Sequence, residues 1–130
     1  MEEVRNFLKE AGAYFIATMD GDQPRVRPFG TAEIFEGHLY IETAKKKDVF
    51  KQIEKNNKVE LCALKDGKWL RVTGNLIIDD RVEAKKDMLD KNPVLRNLYS
   101  ENDGNTIVLY FEHATATFQS FTEPPRTIEF

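Results

Sequence analysis

Three tight turns divide the first half of the chain into short strand-like runs. The turns are Asp20-Gly21-Asp22, Glu36-Gly37 and Asp66-Gly67, and each supplies a glycine where a hairpin turn needs a positive φ. The runs on either side are rich in β-branched and aromatic residues, which favour strands. Because such short connections can join only antiparallel neighbours, the sequence predicts a largely antiparallel sheet.

Helices are expected at three places around these strands. Apolar residues recur at the spacing i, i+3, i+4 and i+7 over residues 2–11, which predicts an amphipathic helix. The other expected elements are strands at 13–19, 24–35 and 38–43, a helix after 47, a hairpin of KVELCALK and KWLRVTGNLII, a charged helix at 81–91 and final strands within 106–121. This order favours one domain, residues 1–130, containing a small β-barrel flanked by helices.

The composition argues against several classes of protein. With a net charge of -3 and a pI near 5.5, the chain lacks the basic character of a nucleic-acid-binding domain. Its single cysteine, Cys62, excludes an intrachain disulfide, fits a reducing cytosol and is expected to be a small buried hydrophobe. No run approaches the roughly 18 apolar residues of a membrane span, and the N-terminus does not resemble a signal peptide. We therefore expect a cytoplasmic protein that binds neither nucleic acid nor membranes.

Three consecutive lysines, Lys45, Lys46 and Lys47, lie at the predicted start of the second helix. A helix N-terminus carries about half a positive charge, so each lysine in its first turn costs about 0.3 to 1 kcal/mol unless an anion offsets it. One interpretation is a solvated charge run. The other is a phosphate site, to which Thr43 adds a hydroxyl and the helix adds backbone N–H groups.

The strand predicted over residues 24–35 carries a second group of polar and aromatic side chains. Arg27 and Phe29 alternate on one face of this strand, and Val26, Ala32 and Ile34 lie on the other. Pro28 and Gly30 interrupt it, which predicts an exposed, kinked edge strand, because proline cannot donate to a strand ladder.

We expect this strand to pair, as a hairpin, with the strand that ends at Thr43. That pairing would bring Arg27 close to an anion held at the lysines, as one phosphorylated planar ligand requires. Trp69 and Arg71 lie on the opposite face of a later strand from its core residues. A large aromatic beside a guanidinium indicates either a partner subunit or a flat ligand at that face.

These segments resemble the flavin-binding split-barrel proteins related to pyridoxamine 5'-phosphate oxidase, and within them the short branch of nitroimidazole-resistance (NimA/NimC-like) proteins. The resemblance covers most of the chain and rests on AYFIATMDGDQPRVRPF, HLYIETAKKKDVFKQIEKNNKVEL, WLRVTGNL and FQSFTEPPRTIEF, in that order. It implies a mainly β fold with flanking helices, a six-stranded antiparallel split β-barrel. It also implies a homodimer with two FMN sites between the subunits.

The same resemblance implies roles for nine residues. Arg27, Pro28 and Phe29 would line the flavin ring, Glu42 and Thr43 would lie by the ribityl chain and phosphate, Lys46 and Lys47 would hold the phosphate, and Trp69 and Arg71 would approach the ring from the partner subunit. Trp69 stands where the oxidases have glutamine. The lysines replace and shorten a serine-arginine-lysine run, so the assignment among the three lysines is open by one position.

The resemblance favours a small FMN-dependent oxidoreductase that acts on an acceptor such as a nitroaromatic. Oxidation of pyridoxamine phosphate is not expected, since the oxidases' C-terminal arginine and histidine contacts have no counterpart before Phe130. The alternatives are a non-catalytic flavin-binding or redox-sensing stress module, and a split barrel that binds deazaflavin or haem. His38 and His113 lack the neighbours of a metal site, so we expect none, and they would be axial ligands only to haem. The sequence identifies neither catalytic residues nor the electron donor.

Overall fold

Three α-helices and eight strands follow one another along residues 1–130, all of which the computed structural model describes. The helices are α1 Glu2–Ala11, α2 Asp48–Lys55 and α3 Val82–Lys91, and a 3₁₀ helix, Pro93–Asn97, follows α3. The strands are β1 Tyr14–Asp20, β2 Gln23–Phe29, β3 Glu33–Phe35, β4 His38–Ala44, β5 Lys58–Lys65, β6 Lys68–Asp79, β7 Thr106–Ser120 and β8 Arg126–Glu129. None of the helices is long and apolar enough to cross a membrane.

All strand pairings are antiparallel, and the strands form one curled sheet in the order β2-β1-β5-β6-β7-β4-β3, with β8 paired to β7. Six strands contain seven residues or more, and β3 and β8 are short additions. The two ends of the sheet, β2 and β3, do not pair with each other, so the barrel is open on one side. The predicted split β-barrel is confirmed.

The core fills the inside of the barrel, and α1 closes one end of it. Val4 and Leu8 of α1 are fully buried with Tyr14 and Ile16 of β1 in the main hydrophobic cluster. A smaller cluster lies outside the barrel, where Met88 and Ala84 of α3 pack against Tyr40 and Val108. Burial alternates along β1 and β5, as expected for strands with one face toward the core.

The second strand ends earlier than predicted. Two separate strands, β2 and β3, replace the single strand expected over residues 24–35, and the chain between them is irregular. Gly30 lies at this break, Pro28 lies within β2 shortly before it, and β2 is an edge strand, as these residues predict. Because the alternation does not continue across the break, Val26 is 68% exposed whereas Ala32 is buried, so their predicted common face is wrong.

The outer face of β2, β1, β5 and β6, together with Phe121, which follows β7 and packs against Trp69 of β6, leaves large apolar side chains in solvent. Phe15, Val26, Leu64 and Phe121 are 53%, 68%, 68% and 93% exposed. Cys62 lies on the same face and is also exposed, because the β5 alternation places its neighbours inside. The prediction that Cys62 is buried is therefore wrong. Large apolar side chains exposed together on one face are typical of an interaction site.

Candidate functional site

A cavity of about 610 Å³ opens where the two ends of the curled sheet approach each other. Its walls are residues 27–31 of β2 and the following turn, Glu42 and Thr43 of β4, Lys47 and Val49 at the start of α2, and seven residues between Lys91 and Tyr99. The cavity contains most of the residues that the sequence analysis assigned to one site. Arg27, Pro28, Phe29, Glu42, Thr43 and Lys47 line it, whereas Lys46, Trp69 and Arg71 do not.

The strands that bear these residues are not hairpin partners, so that prediction is wrong. The edge strand β2 pairs only with β1, and β4 pairs with β3 and β7. They come together because the sheet curls until its ends nearly meet. Tyr14 Oη donates to the Thr31 carbonyl at 2.7 Å, and the Glu42 amide donates to Thr31 Oγ1 at 2.9 Å. Thr31 therefore joins the two sides of the split.

The Arg27 guanidinium is held at the rim of the cavity. Its Nη1 donates to Thr18 Oγ1 at 2.7 Å and to the Ile16 carbonyl at 3.2 Å, and its Nη2 donates to Gln52 Oε1 at 2.7 Å. Burial lowers the pKa of Arg27, as does nearby Arg25, yet an arginine remains charged at any physiological pH. Strand β1 and helix α2 thus fix a positive charge at one end of the cavity.

The three lysines have different environments. Helix α2 begins at Asp48 with Lys47 as its N-cap, as expected for a helix after residue 47, so the three lysines precede the first helical turn and do not occupy it as the electrostatic argument assumed. Lys45 pairs with Asp80 at 2.9 Å, and Lys46 is exposed and does not reach the cavity. Lys47 alone lines the cavity, and it makes no ion pair. The geometry therefore selects Lys47 among the three as the cation available to a ligand.

A neighbouring loop holds the backbone of the lysine turn. The Asn105 carbonyl accepts from the Lys45 amide at 2.7 Å, and Asn105 Oδ1 accepts from the Lys46 amide at 3.1 Å. Asp103 organises this loop, since its carboxylate accepts from the amides of residues 100, 105 and 106 and from the Thr106 hydroxyl. Burial opposes ionisation, but these hydrogen bonds hold the pKa of Asp103 well below its usual range.

Because the pKa of Asp103 is lower in the folded protein, its contribution to stability is present above the unfolded-state value of about 4 and is lost as pH falls below it. We expect Asp103→Asn to lower the free energy of unfolding at pH 7 by about 1 kcal/mol, the net worth of a typical hydrogen bond. Its stability should also decline less than that of the unsubstituted protein between pH 5 and pH 2. Urea unfolding at several pH values measures both effects. Asp22→Asn in an exposed turn is the control, and an equal acid dependence in Asp103→Asn would contradict the assignment.

Two buried polar atoms in the cavity have no hydrogen-bond partner. They are Glu42 Oε1 and Thr43 Oγ1, on residues that are 8% and 1% exposed. Burial raises the pKa of Glu42 to about 7, and Lys47 opposes this shift. A buried polar group without a partner costs about 1 to 3 kcal/mol, and native proteins retain few of them. This pair is therefore the strongest structural indication that the cavity receives a polar ligand.

Trp69 and Arg71 lie on the outer face of β6, away from the cavity of their own chain. Trp69 Nε1 donates to Gln119 Oε1 at 3.1 Å, and the indole packs 5.1 Å from the Phe121 ring. Arg71 pairs with Glu60 at 2.6 Å. Both residues belong to the exposed apolar face described above. The structure brings them into no site within one subunit.

The sequence analysis missed one wall of the cavity, the segment from Lys91 to Tyr99. Val94 and Leu98 are 77% and 79% exposed, and no residue of the 3₁₀ helix is buried. Arg96 instead points back to Asp90 and Glu101, at 2.6 and 2.7 Å. The only signal in the sequence was the apolar type of Val94 and Leu98. Because these residues follow no helical or strand periodicity, the sequence did not indicate which surface they would face.

Neither histidine lies at the cavity. The ring of His38 packs 4.3 Å from Tyr110, beside a different depression near Asp79 and Arg81. His113 is exposed on β7, where its φ of 51° marks an irregular position. Within one subunit, therefore, neither residue is placed to act as an axial ligand to a haem bound between β2 and β4.

Known proteins share both the sequence pattern and the fold. A family model described as pyridoxamine 5'-phosphate oxidase matches residues 1–118. A NimC/NimA family protein from Clostridium acetobutylicum is 43% identical, with a TM-score of 0.97 over 100% of this chain and 92% of that one. No curated protein matches this chain.

Two more distant structures share the fold. General Stress Protein 26 from Bacillus anthracis is 17% identical, with a TM-score of 0.78 over 99% of this chain and 97% of that chain. A pyridoxamine 5'-phosphate oxidase-related, FMN binding protein from Nostoc punctiforme is 11% identical, with a TM-score of 0.60 over 99% and 93%. The family model and the NimC/NimA relative together show that this chain belongs to the pyridoxamine 5'-phosphate oxidase-related family, in its NimC/NimA-like branch.

Proposed function

We propose that the protein binds FMN in the cavity at the split of the barrel and acts as a small flavin-dependent oxidoreductase. The observation that carries this proposal is the pair of unpartnered buried atoms, Glu42 Oε1 and Thr43 Oγ1, beside the free cation Lys47. FMN combines hydroxyl groups with a phosphate, so it offers partners to all three residues. The residues present therefore fit this cofactor.

Different residues of the cavity would contact different parts of FMN. Lys47 and the backbone N–H groups at the start of α2 favour the phosphate, because a helix N-terminus attracts anions. Thr43 and Glu42, which lie near the end of β4 and precede Lys47 in the chain, would hydrogen-bond the ribityl chain. Pro28 and Phe29 would line the ring on the β2 side.

Bound FMN would supply hydride and single-electron transfer, which no side chain of this protein offers. Arg27 would tune that chemistry electrostatically. Its guanidinium is fixed by Thr18 and Gln52 before any ligand arrives, so it favours negative charge on a ring placed beside it without reorganisation. The expected consequence is a raised reduction potential.

We also propose that the protein is a homodimer whose two cofactor sites lie at the interface. Trp69 and Arg71 cannot reach the cavity of their own subunit, so they contact the flavin ring only if a second copy presents them. The surface around them exposes Phe15, Leu64 and Phe121, which a partner would cover. Trp69 packs against Phe121 of this apolar face. A single interface could therefore cover the face and bring Trp69 to the partner's cofactor, which supports both the dimer and the shared site.

The absorption spectrum of the purified protein, before and after incubation with FMN and gel filtration, tests cofactor binding. We expect flavin bands that co-elute with the protein in stoichiometric amount. A colourless protein that cannot be reconstituted with FMN would contradict the proposal. A deazaflavin or haem spectrum would replace FMN by that cofactor.

Anaerobic addition of NADH or NADPH to the FMN-loaded protein tests the oxidoreductase activity. Bleaching of the flavin bands, followed by recovery on addition of a nitroaromatic, supports a reductase of the kind that the family suggests. If FMN binds but no donor bleaches it, the protein is a flavin-binding or redox-sensing module instead.

A further inference from the structure

Glu42 places an acidic side chain in a cavity that we assign to an anionic cofactor. Its carboxyl is nine-tenths buried, lines the same cavity as Lys47 and has an oxygen without a partner. A carboxylate there would repel a phosphate and could only accept hydrogen bonds. The ribityl hydroxyls of FMN could donate to such a carboxylate, but the phosphate and ring carbonyl oxygens are acceptors. A charged Glu42 would therefore repel the phosphate that Lys47 attracts, whereas a neutral Glu42 would not.

The groups around Glu42 favour its neutral form. Lys47, in the turn before α2, is the one cation that stabilises the carboxylate, and Asp103, in the loop before β7, disfavours it. Tyr14 of β1 and Thr31 after β2 are neutral neighbours, and Tyr14 Oη is already committed to the Thr31 carbonyl. No hydrogen bond stabilises the charged form. Burial is the largest influence and raises the pKa of Glu42 to about 7.

Binding of a phosphate would further disfavour the charged form of Glu42. When Lys47 pairs with a phosphate, it no longer offsets a negative charge on Glu42, and the phosphate itself adds a second negative charge nearby. Both changes favour uptake of a proton by the carboxyl. The protonated acid then becomes a donor, which can satisfy an acceptor oxygen of the ligand.

Resting on the FMN site proposed above, we propose that Glu42 binds the cofactor as the neutral carboxylic acid and donates a hydrogen bond to it. One proton is then taken up when FMN binds near neutral pH. Glu42 is then a cofactor-binding residue that makes cofactor retention depend on pH. Affinity should be full below pH 7 and fall as pH rises, by up to about tenfold per pH unit for one coupled proton.

Ionisation of the FMN phosphate would not produce the same fall in affinity with rising pH. A phosphate monoester has a second pKa of about 6, so its ionisation is almost complete at pH 7.5. That ionisation also acts in the opposite direction, because the dianion binds a lysine better as pH rises. Riboflavin lacks the phosphate. The pH dependence of its affinity therefore reports a hydrogen bond from Glu42 to the ring or ribityl chain without a contribution from phosphate ionisation.

Flavin fluorescence titrations at pH 6.5, 7.5 and 8.5 test the inference, with the full chain and its Glu42→Gln variant. Glutamine is neutral, has the same shape and can donate a hydrogen bond at every pH. We expect the affinity of the unsubstituted protein to fall about five- to tenfold between pH 7.5 and 8.5, as one-proton linkage requires. The Glu42→Gln variant should keep full affinity at pH 6.5 and vary less than twofold, whereas Glu54→Gln, on the exposed side of α2, should behave like the unsubstituted protein.

Calorimetry of FMN binding at pH 7.5, in two buffers with different ionisation enthalpies, counts the proton directly. The unsubstituted protein should take up between about half and one proton per FMN, a figure that follows from linkage. This measurement decides the question even if the variant does not fold, because the absence of uptake overturns the inference. An identical pH dependence in Glu42→Gln also overturns it, while FMN binding itself would stand. If neither protein binds FMN at any pH, the proposed function fails and this inference fails with it.

Discussion

Replacing Lys47 with alanine is expected to weaken FMN binding by about 10- to 100-fold, whereas Lys46→Ala should change it by less than about threefold. A hydrogen bond to a charged group contributes about 1.5 to 3 kcal/mol, and each 1.4 kcal/mol is a factor of about ten in affinity. Lys47 lines the cavity without a competing carboxylate, and Lys46 lies outside it. Lys45 is already paired with Asp80. Substitutions of these three adjacent lysines should therefore change FMN affinity by very different amounts.

Equilibrium titration with FMN measures this difference, and Lys46→Ala is the matched control because it removes the same charge one residue away. Riboflavin adds a second control, since loss of Lys47 should change its affinity far less than that of FMN. Equal losses at Lys46 and Lys47 would mean that the lysines act only through net charge. A larger loss at Lys46 would place the phosphate one residue earlier along the chain.

Phe15→Glu is expected to convert a dimer into monomers and, with them, to abolish tight FMN binding. Phe15 is 53% exposed in one subunit and lies opposite Cys62 in the β1–β5 pairing, so the substitution leaves the core of the monomer intact. In an interface, the same glutamate would be buried without a partner, at a cost of several kcal/mol. The dimer dissociation constant should rise by at least about 100-fold, equivalent to roughly 2.7 kcal/mol. FMN should then lose contact with Trp69 and Arg71 of the second copy.

Sedimentation velocity or light scattering during gel filtration reports the dimer, and circular dichroism reports the fold of the variant. Val82→Glu is the control, because Val82 is an exposed apolar residue at the start of α3, away from this face. It should remain dimeric and retain FMN. If Phe15→Glu stays dimeric, or if the unsubstituted protein is monomeric at micromolar concentration, the assignment of this face to a homodimer is wrong.

Local sequence signals predicted the elements of the fold well. The hairpin turns, the amphipathic pattern of α1 and the proline in β2 each depend on neighbours within a few residues, and each prediction agrees with the structure. The predicted pairing of β2 with β4 failed for a physical reason. Adjacent strands often form hairpins, but here the chain breaks after β2, at residues 30–32, and continues at the opposite edge of the sheet. Curvature of the sheet then restores the proximity that a hairpin was expected to provide.

The candidate site shows the same division. Lys45, Lys46 and Lys47 are indistinguishable by residue type, and only the structure separates a paired, an exposed and a cavity-lining lysine. The residues Val94 and Leu98 carry no periodic signal, so their place in the cavity wall was not predicted. Trp69 was correctly assigned to the face opposite the core, since alternation along a strand is a local property.

By itself, the sequence determined the three helices, most of the strands, the antiparallel sheet and the family, because turn residues, periodicity and motif order are encoded over short distances. Only the tertiary structure decided which cation is free, which carboxyl is buried and which surface is left for a partner. Those properties depend on solvent exclusion and on charges brought together from distant parts of the chain. Glu42 illustrates the difference: its residue type indicates an acid, but its burial on β4 beside Lys47 is what can make it a proton donor at neutral pH.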